Sequence, residues 1–176
     1  MEYKINTYIN NEGNSRRFVL GLDSSNPLIV LGVNPSTADD TKPDATIRRV
    51  MGYAQRNGFD GFLMINLYPV RSTNPHELPQ NMNPDTNRQN IEHIIKVFSQ
   101  HPQGTILAAY GNTIGERSYL KKCLYDIIKE SLHFNLKWMQ IGELTKSGNP
   151  RHPSRGPYIH LQEFNINNIL YSGHFR

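Results

Sequence analysis

Four short apolar runs, each closing on a polar turn or a glycine, constrain this chain more than any other feature: Leu28–Val33, Phe62–Leu67, Thr105–Gly111 and Leu136–Gly142. Each has the length of a strand rather than of a buried helix, and each reads as a buried strand. The segments between them carry helical spacing. Pro43-Asp44 opens a helix that ends near Asn57-Gly58, with Ile47, Val50, Met51 and Ala54 on one side. Asn83-Pro84-Asp85 supplies a capping amide, a first-turn proline and an early acid, and Ile91, Ile94, Ile95 and Phe98 follow as its buried stripe. A third helix is expected from about Ile114 to Ser131, with Leu120, Leu124, Ile127 and Ile128 inward. This alternation predicts an α/β fold, a three-layer sandwich around a four-stranded, mainly parallel central sheet. An N-terminal hairpin over about residues 1–23 precedes it, and a tail from Tyr158 is expected to hold a short strand or helix. With no repeat and no break in composition, residues 1–176 are read as one domain.

Composition narrows the setting. No apolar stretch approaches the length of a membrane span, and Met1–Asn6 has no basic segment leading into an apolar one. The lone cysteine, Cys123, leaves no intrachain disulfide framework and sits among apolar helical neighbours, so it reads as core. A cytoplasmic protein with no membrane partner is the expectation. A net charge of +4 permits a polyanionic partner without requiring one. Position says more than the total. Arg48, Arg49 and Arg56 fall on one predicted helix, Arg71 follows a strand, and Lys146, Arg151 and Arg155 crowd a late turn.

In a parallel sheet the site lies beyond the carboxyl ends of the strands. Here those ends are Gly32-Val33-Asn34-Pro35-Ser36, Asn66-Leu67-Tyr68, Tyr110-Gly111-Asn112 and the turn after Gly142 that reaches His152-Pro153-Ser154-Arg155. Tyr68–Asn83 is too long and proline-rich for a routine connection and reads as a functional loop. The chain has no glycine-rich phosphate loop, no dinucleotide fingerprint and no nucleophile elbow. His152, His160 and His174 lack the spacing of a zinc site, and His93 reads as a packing residue, so no metal or cofactor is expected. Asn34 can hold a water but is a poor general base. His152 can donate to a developing anion. Asn66 either pairs with an amide-like base edge or caps neighbouring backbone. Asp39, Asp40 and Asp44 either supply a carboxylate base or favour the positive end of the helix that follows.

In their order, these segments resemble the uracil-DNA glycosylase superfamily. Leu31-Gly32-Val33-Asn34-Pro35-Ser36 is similar to its first motif, in the version found in mismatch-specific uracil/thymine enzymes. Phe62–Asn66 with Val70-Arg71 is similar to the strand presenting a base-recognising asparagine. Leu107–Asn112 falls where the family has a strand-glycine segment, and His152-Pro153-Ser154 resembles the second motif. The whole chain also looks like an uncharacterised family of bacterial and phage proteins that carries the same motifs.

The resemblance implies a glycosylase-like fold and a role for each matched residue. Asn34 would position a water, His152 would steady the leaving base, and Asn66, with Ser36 and Gly32, would receive the base. From the clustering of charge at the loop ends, Arg71, Lys146, Arg151 and Arg155, with Ser154, are expected to face the nucleic acid. The reaction implied is N-glycosidic cleavage of a flipped nucleotide. Asn34 stands where the most active members carry aspartate, so Asn34→Asp is expected to speed base release. Arg155-Gly156-Pro157-Tyr158 does not match the family's apolar wedge, and Tyr53, Tyr68 and Tyr110 are the candidate stacking rings. Three functions remain open at this point. They are a protein that binds or excises a base in nucleic acid, chiefly DNA; a hydrolase or transferase on a free nucleotide; and a non-catalytic nucleic-acid-binding module.

Overall fold

A computed structural model of the chain describes residues 1–156 and 160–171, so Tyr158 and His174 lie outside the described residues. The strands are β1 (Thr7–Asn10), β2 (Arg17–Leu22), β3 (Pro27–Gly32), β4 (Gly61–Asn66), β5 (Thr105–Ala108), β6 (Lys137–Ile141) and β7 (Leu161–Glu163). The α-helices are α1 (Ala45–Arg56), α2 (Pro84–Gln100), α3 (Ser118–Ser131) and the short α4 (Asn167–Leu170). All seven strands join one sheet in the order β1-β2-β4-β3-β5-β6-β7. The four-stranded expectation is therefore corrected to seven. The four apolar runs become β3, β4, β5 and β6, which pair in parallel. The hairpin adds β1 and β2 antiparallel on the β4 side, and β7 adds antiparallel beyond β6. The hairpin is part of the sheet because Leu20, Gly21 and Leu22 align with Met64, Leu63 and Phe62. Short-range sequence patterns report a strand's existence, not which edge it joins.

Leu28, Ile29, Val30 and Leu31 of β3 are all completely buried. Alternate side chains enter opposite cores. Leu28 and Val30 pack with Leu20, Phe62, Met64 and the Ile47, Val50, Tyr53 and Ala54 face of α1. Ile29 and Leu31 pack with Leu63, Ile65, Ile106 and the inward faces of α2 and α3. Burying one such side chain contributes about 1.5–3 kcal/mol, so the centre of the sheet carries much of the stability. Caps set the helix starts. Asp44 accepts from Ile47 N at 2.8 Å, and Asn83 accepts from Thr86 N at 2.9 Å. The third helix starts later than the periodicity suggested. Gly111–Glu116 is a 3-10 turn, and Arg117 is extended at φ −139° and ψ 133° before α3 begins. The Arg117 side chain explains the break, since its Nε donates to Leu78 O at 2.9 Å and ties this turn to the long loop.

Order and connection together place the crevice. The chain leaves β3 for α1 on one face, and leaves β5 for α3, which packs beside α2, on the other. Neighbouring strands whose connections diverge leave a gap beyond their carboxyl ends. Here that gap lies between Gly32-Asn34 and Tyr110-Asn112.

The end of β4, at the crevice floor, is held from α2. Buried Asn90 donates through Nδ2 to Asn66 O at 2.9 Å and to Leu67 O at 3.2 Å. Asn90→Leu keeps the branched shape but leaves both carbonyls without this donor. We expect it to lower unfolding free energy by about 1–3 kcal/mol, measured by urea denaturation.

Candidate functional site

The crevice forms a cleft of about 680 Å³. The first turn contributes Gly32, Asn34 and Ser36, and the start of α1 contributes Asp44, Thr46 and Ile47. Ser72, Thr73 and Pro75 come from the long loop, and Gly111, Asn112, Thr113 and Glu116 from the turn after β5. Thr145, Arg151, His152, Ser154 and Arg155 close the far side, with Arg17 of β2 and Met64 of β4 also in the wall. Two turns more than a hundred residues apart in sequence thus face one space.

Each functional side chain is held by specific contacts. Asn34 donates through Nδ2 to Ser72 O at 2.8 Å and to Pro35 O at 3.0 Å. This locks the first turn to the long loop and leaves Oδ1 as the acceptor. His152 caps the 3-10 turn Pro153–Arg155 by accepting from Ser154 N through Nδ1, and Ser154 Oγ lies 2.7 Å from the same nitrogen. Nδ1 is therefore the acceptor, and the neutral ring carries its proton on Nε2. Burial, reinforced by Arg155, pushes the imidazole below the ordinary histidine value of 6.5, while Asp44 opposes this. The ring is neutral at pH 7 and offers Nε2–H as a donor.

Close backbone approach makes this placement possible. Gly111 sits at φ 58°, and a Cβ there would lie 3.1 Å from the Cβ of His152. From the other side, Arg49 of α1 donates from Nε to Pro153 O at 3.1 Å, and its Nη2 donates to Gly156 O. Arg49, expected as part of a basic helix face, is thus a clamp on the His152 turn.

Two rim residues expected to face nucleic acid do not line this cleft. Arg71 is committed elsewhere: its Nη1 donates to Ser36 O and, at 3.1 Å, to Ala38 O, and its Nη2 donates to Tyr8 Oη at 2.8 Å. It borders a smaller neighbouring pocket of about 350 Å³. Lys146 is exposed, on a loop whose base is fixed by Thr145 and Asn149 to Asn112 Oδ1, and is not part of the cleft wall. Asn66 is fully buried and not in the open wall, yet neither its Nδ2 nor its Oδ1 has a partner. Its Oδ1 would lie 3.1 Å from a Cβ on Gly32, and the Met64 methyl 2.5 Å from it, so both crowd the bare face of Gly32. Tyr53, Tyr68 and Tyr110 are buried, and among the described residues no Phe, Tyr or Trp lines the cleft. Cys123 is buried, with its thiol pushed up to about 12 by desolvation, and His93 packs on Phe18 with ring centroids 4.5 Å apart.

The structure adds residues that motif reading did not assign to the site. Asp44, whose role the sequence left open, caps α1 and lines the cleft. Glu116 lines it too, paired with His76 at 2.7 Å. Arg17 is 2 % exposed, and its Nη1 donates to Ala38 O at 3.0 Å. Its only sequence signal was a charge at the head of the apolar run Arg17-Phe18-Val19-Leu20.

Residues 17–154 match the model of DUF1643, described as a protein of unknown function. The chain belongs to this family. The matched span holds every cleft residue except Arg155, and β1 lies outside it. No curated protein and no solved structure matches the chain, and nothing links DUF1643 to the glycosylases. Among the described residues no helix is long and apolar enough to cross a membrane.

Two outcomes follow from this geometry. A neutral His152 in the fold must gain a proton more readily on unfolding, so its contribution to stability falls away as pH drops below 6.5. An NMR titration should place its midpoint below 6.5 with the proton on Nε2. Asn34→Asp also carries a structural cost. An aspartate would turn an acceptor oxygen toward the carbonyls of Ser72 and Pro35. We expect the variant to lose about 1–3 kcal/mol in denaturant melts, whatever its effect on base release.

Proposed function

We propose that the cleft receives the base of a nucleotide unit in nucleic acid and cleaves its N-glycosidic bond. The observation that carries this is that His152, with Nδ1 engaged and Nε2 left as the donor, lines the same cleft as Asn34, with Nδ2 engaged and Oδ1 left as the acceptor. The resemblance of the motifs to the glycosylases supports the same assignment. In this reading Asn34 Oδ1 accepts from a water and orients it toward C1′ of the sugar. The water oxygen bonds to C1′ as the bond to the base breaks, and the base takes the electron pair. His152 Nε2–H hydrogen-bonds the developing base anion. Asp44 accepts the water's proton, a task Asn34 cannot perform. The Asn66 amide, buried and unpartnered beside Gly32, has the donor and acceptor pattern of a base edge.

One observation favours a second reading, hydrolysis of a free nucleotide. Among the described residues no aromatic ring of Phe, Tyr or Trp lines the cleft to hold a flipped base, and Arg71 and Lys146 stand outside it.

The test is base release from single-stranded oligonucleotides bearing uracil and a panel of modified bases, beside release from the matching free nucleotides. His152→Ala should slow release about 10²–10³-fold. Asp44→Asn should slow it about 10²-fold while thermal stability holds, because asparagine caps a helix as well as aspartate. Release from free nucleotides alone selects the second reading. DNA binding without release by the native protein would replace both with a binding module.

A further inference from the structure

Arg17 carries no role in the chemistry above, and its surroundings do not explain it. It is almost completely buried at the head of β2. Among the described residues no carboxylate lies within ion-pairing distance of it, and its Nε has no hydrogen-bond partner. Its Nη1 and that of Arg71 both donate to one carbonyl, Ala38 O, at 3.0 and 3.1 Å. Two guanidinium groups thus converge on a neutral acceptor. Burial, then Arg71, lower the Arg17 pKa to about 10 against the opposing charge of Asp44, so it remains charged at neutral pH. A buried cation without a counter-ion in contact is unfavourable, and packing alone gives no reason to place one here.

The side chain lines the cleft, so the missing counter-ion has a way in. Arg151 and Arg155 add positive charge to the same wall, whereas Asp44 and Glu116 oppose it. Asp44 acts on Arg17 without ion-pair contact, and Glu116 bonds to His76, so neither carboxylate sits on the guanidinium. Arginine presents planar paired donors that match phosphate geometry, and it gains most where water is excluded.

We propose that Arg17 is the phosphate anchor of the cleft, so that the ligand enters with a phosphate group seated on its guanidinium. This deepens the nucleotide reading and rests on it only for what the phosphate is attached to. The phosphate is either that of a free nucleoside monophosphate or one in an oligonucleotide.

The test measures binding, not turnover, by calorimetry with the full chain. The probes are inorganic phosphate, uridine and adenosine monophosphates, the matching nucleosides, and a uracil-containing single strand. Native protein should bind the monophosphates at least about tenfold more tightly than the nucleosides. Arg17→Gln should erase that difference and leave nucleoside affinity unchanged, whereas Arg17→Lys should retain part of it. A thermal melt of each variant without ligand checks folding. Arg17→Met should melt no lower than the native protein if the charge is uncompensated. Binding of monophosphates but not the single strand identifies a free nucleotide as the source. Tight single-strand binding that Arg17→Gln weakens identifies the nucleic-acid backbone. Equal affinity of native protein for nucleoside and monophosphate, or undiminished phosphate preference in folded Arg17→Gln, overturns the anchor. Phosphate-dependent binding without base release keeps the anchor and rejects the glycosidic reading, so the two failures are separable.

Discussion

Parallel pairing of β3 between β4 and β5 is the constraint on which the rest depends. Leu28–Leu31 are buried on both faces, so this strand cannot slip by one residue without turning each side chain into the opposite core. Once its register is set, Gly32 stands opposite Asn66, and the chain beyond Leu31 reaches the crevice at the height of Ala108. The diverging connections after β3 and β5 then open the cleft, whatever chemistry its loops carry.

The loops around the cleft are held chiefly by side chains reaching backbone carbonyls. Asn34 ties the first turn to Ser72, Arg71 ties it to the hairpin, and Arg49 ties the His152 turn to α1. Arg117 joins the turn after β5 to the long loop at Leu78, and Asn90 holds the end of β4. Such contacts satisfy carbonyls that irregular backbone leaves without strand or helix partners. They also explain why so many polar residues near the strand ends are structural. Arg71 shows this most fully: it donates to Ser36 O, Ala38 O, Tyr8 Oη and Asn14 Oδ1, and it does not line the cleft. Asn66 differs in having neither amide atom partnered, and Arg17 in keeping an unpartnered Nε while it lines the cleft.

The strands and helices were legible from the sequence because apolar runs and caps act locally. Asp44 and Asn83 announce helix starts within three residues, and the continuous apolarity of Leu28–Leu31 announces a strand covered on both sides. The meeting of Asn34 with His152 was expected only because parallel strands end on the same side of a sheet. The membership of β1, β2 and β7 in the sheet was not legible, since edge pairing depends on a partner strand distant in sequence.

Local composition determined the element types, the order of the four parallel strands along the chain, and the polar turns that follow them. Tertiary structure alone decided which polar groups face the cleft. Arg71 and Lys146 look the same in sequence as Arg151 and Arg155, yet only the latter pair lines it. Arg17, one charge at the start of an apolar strand, became part of the wall because β2 docks against β4. A side chain's charge is written in the sequence, but its partners are set by contacts between segments far apart in the chain, and those partners decide whether the charge is spent inside the fold or left for a ligand.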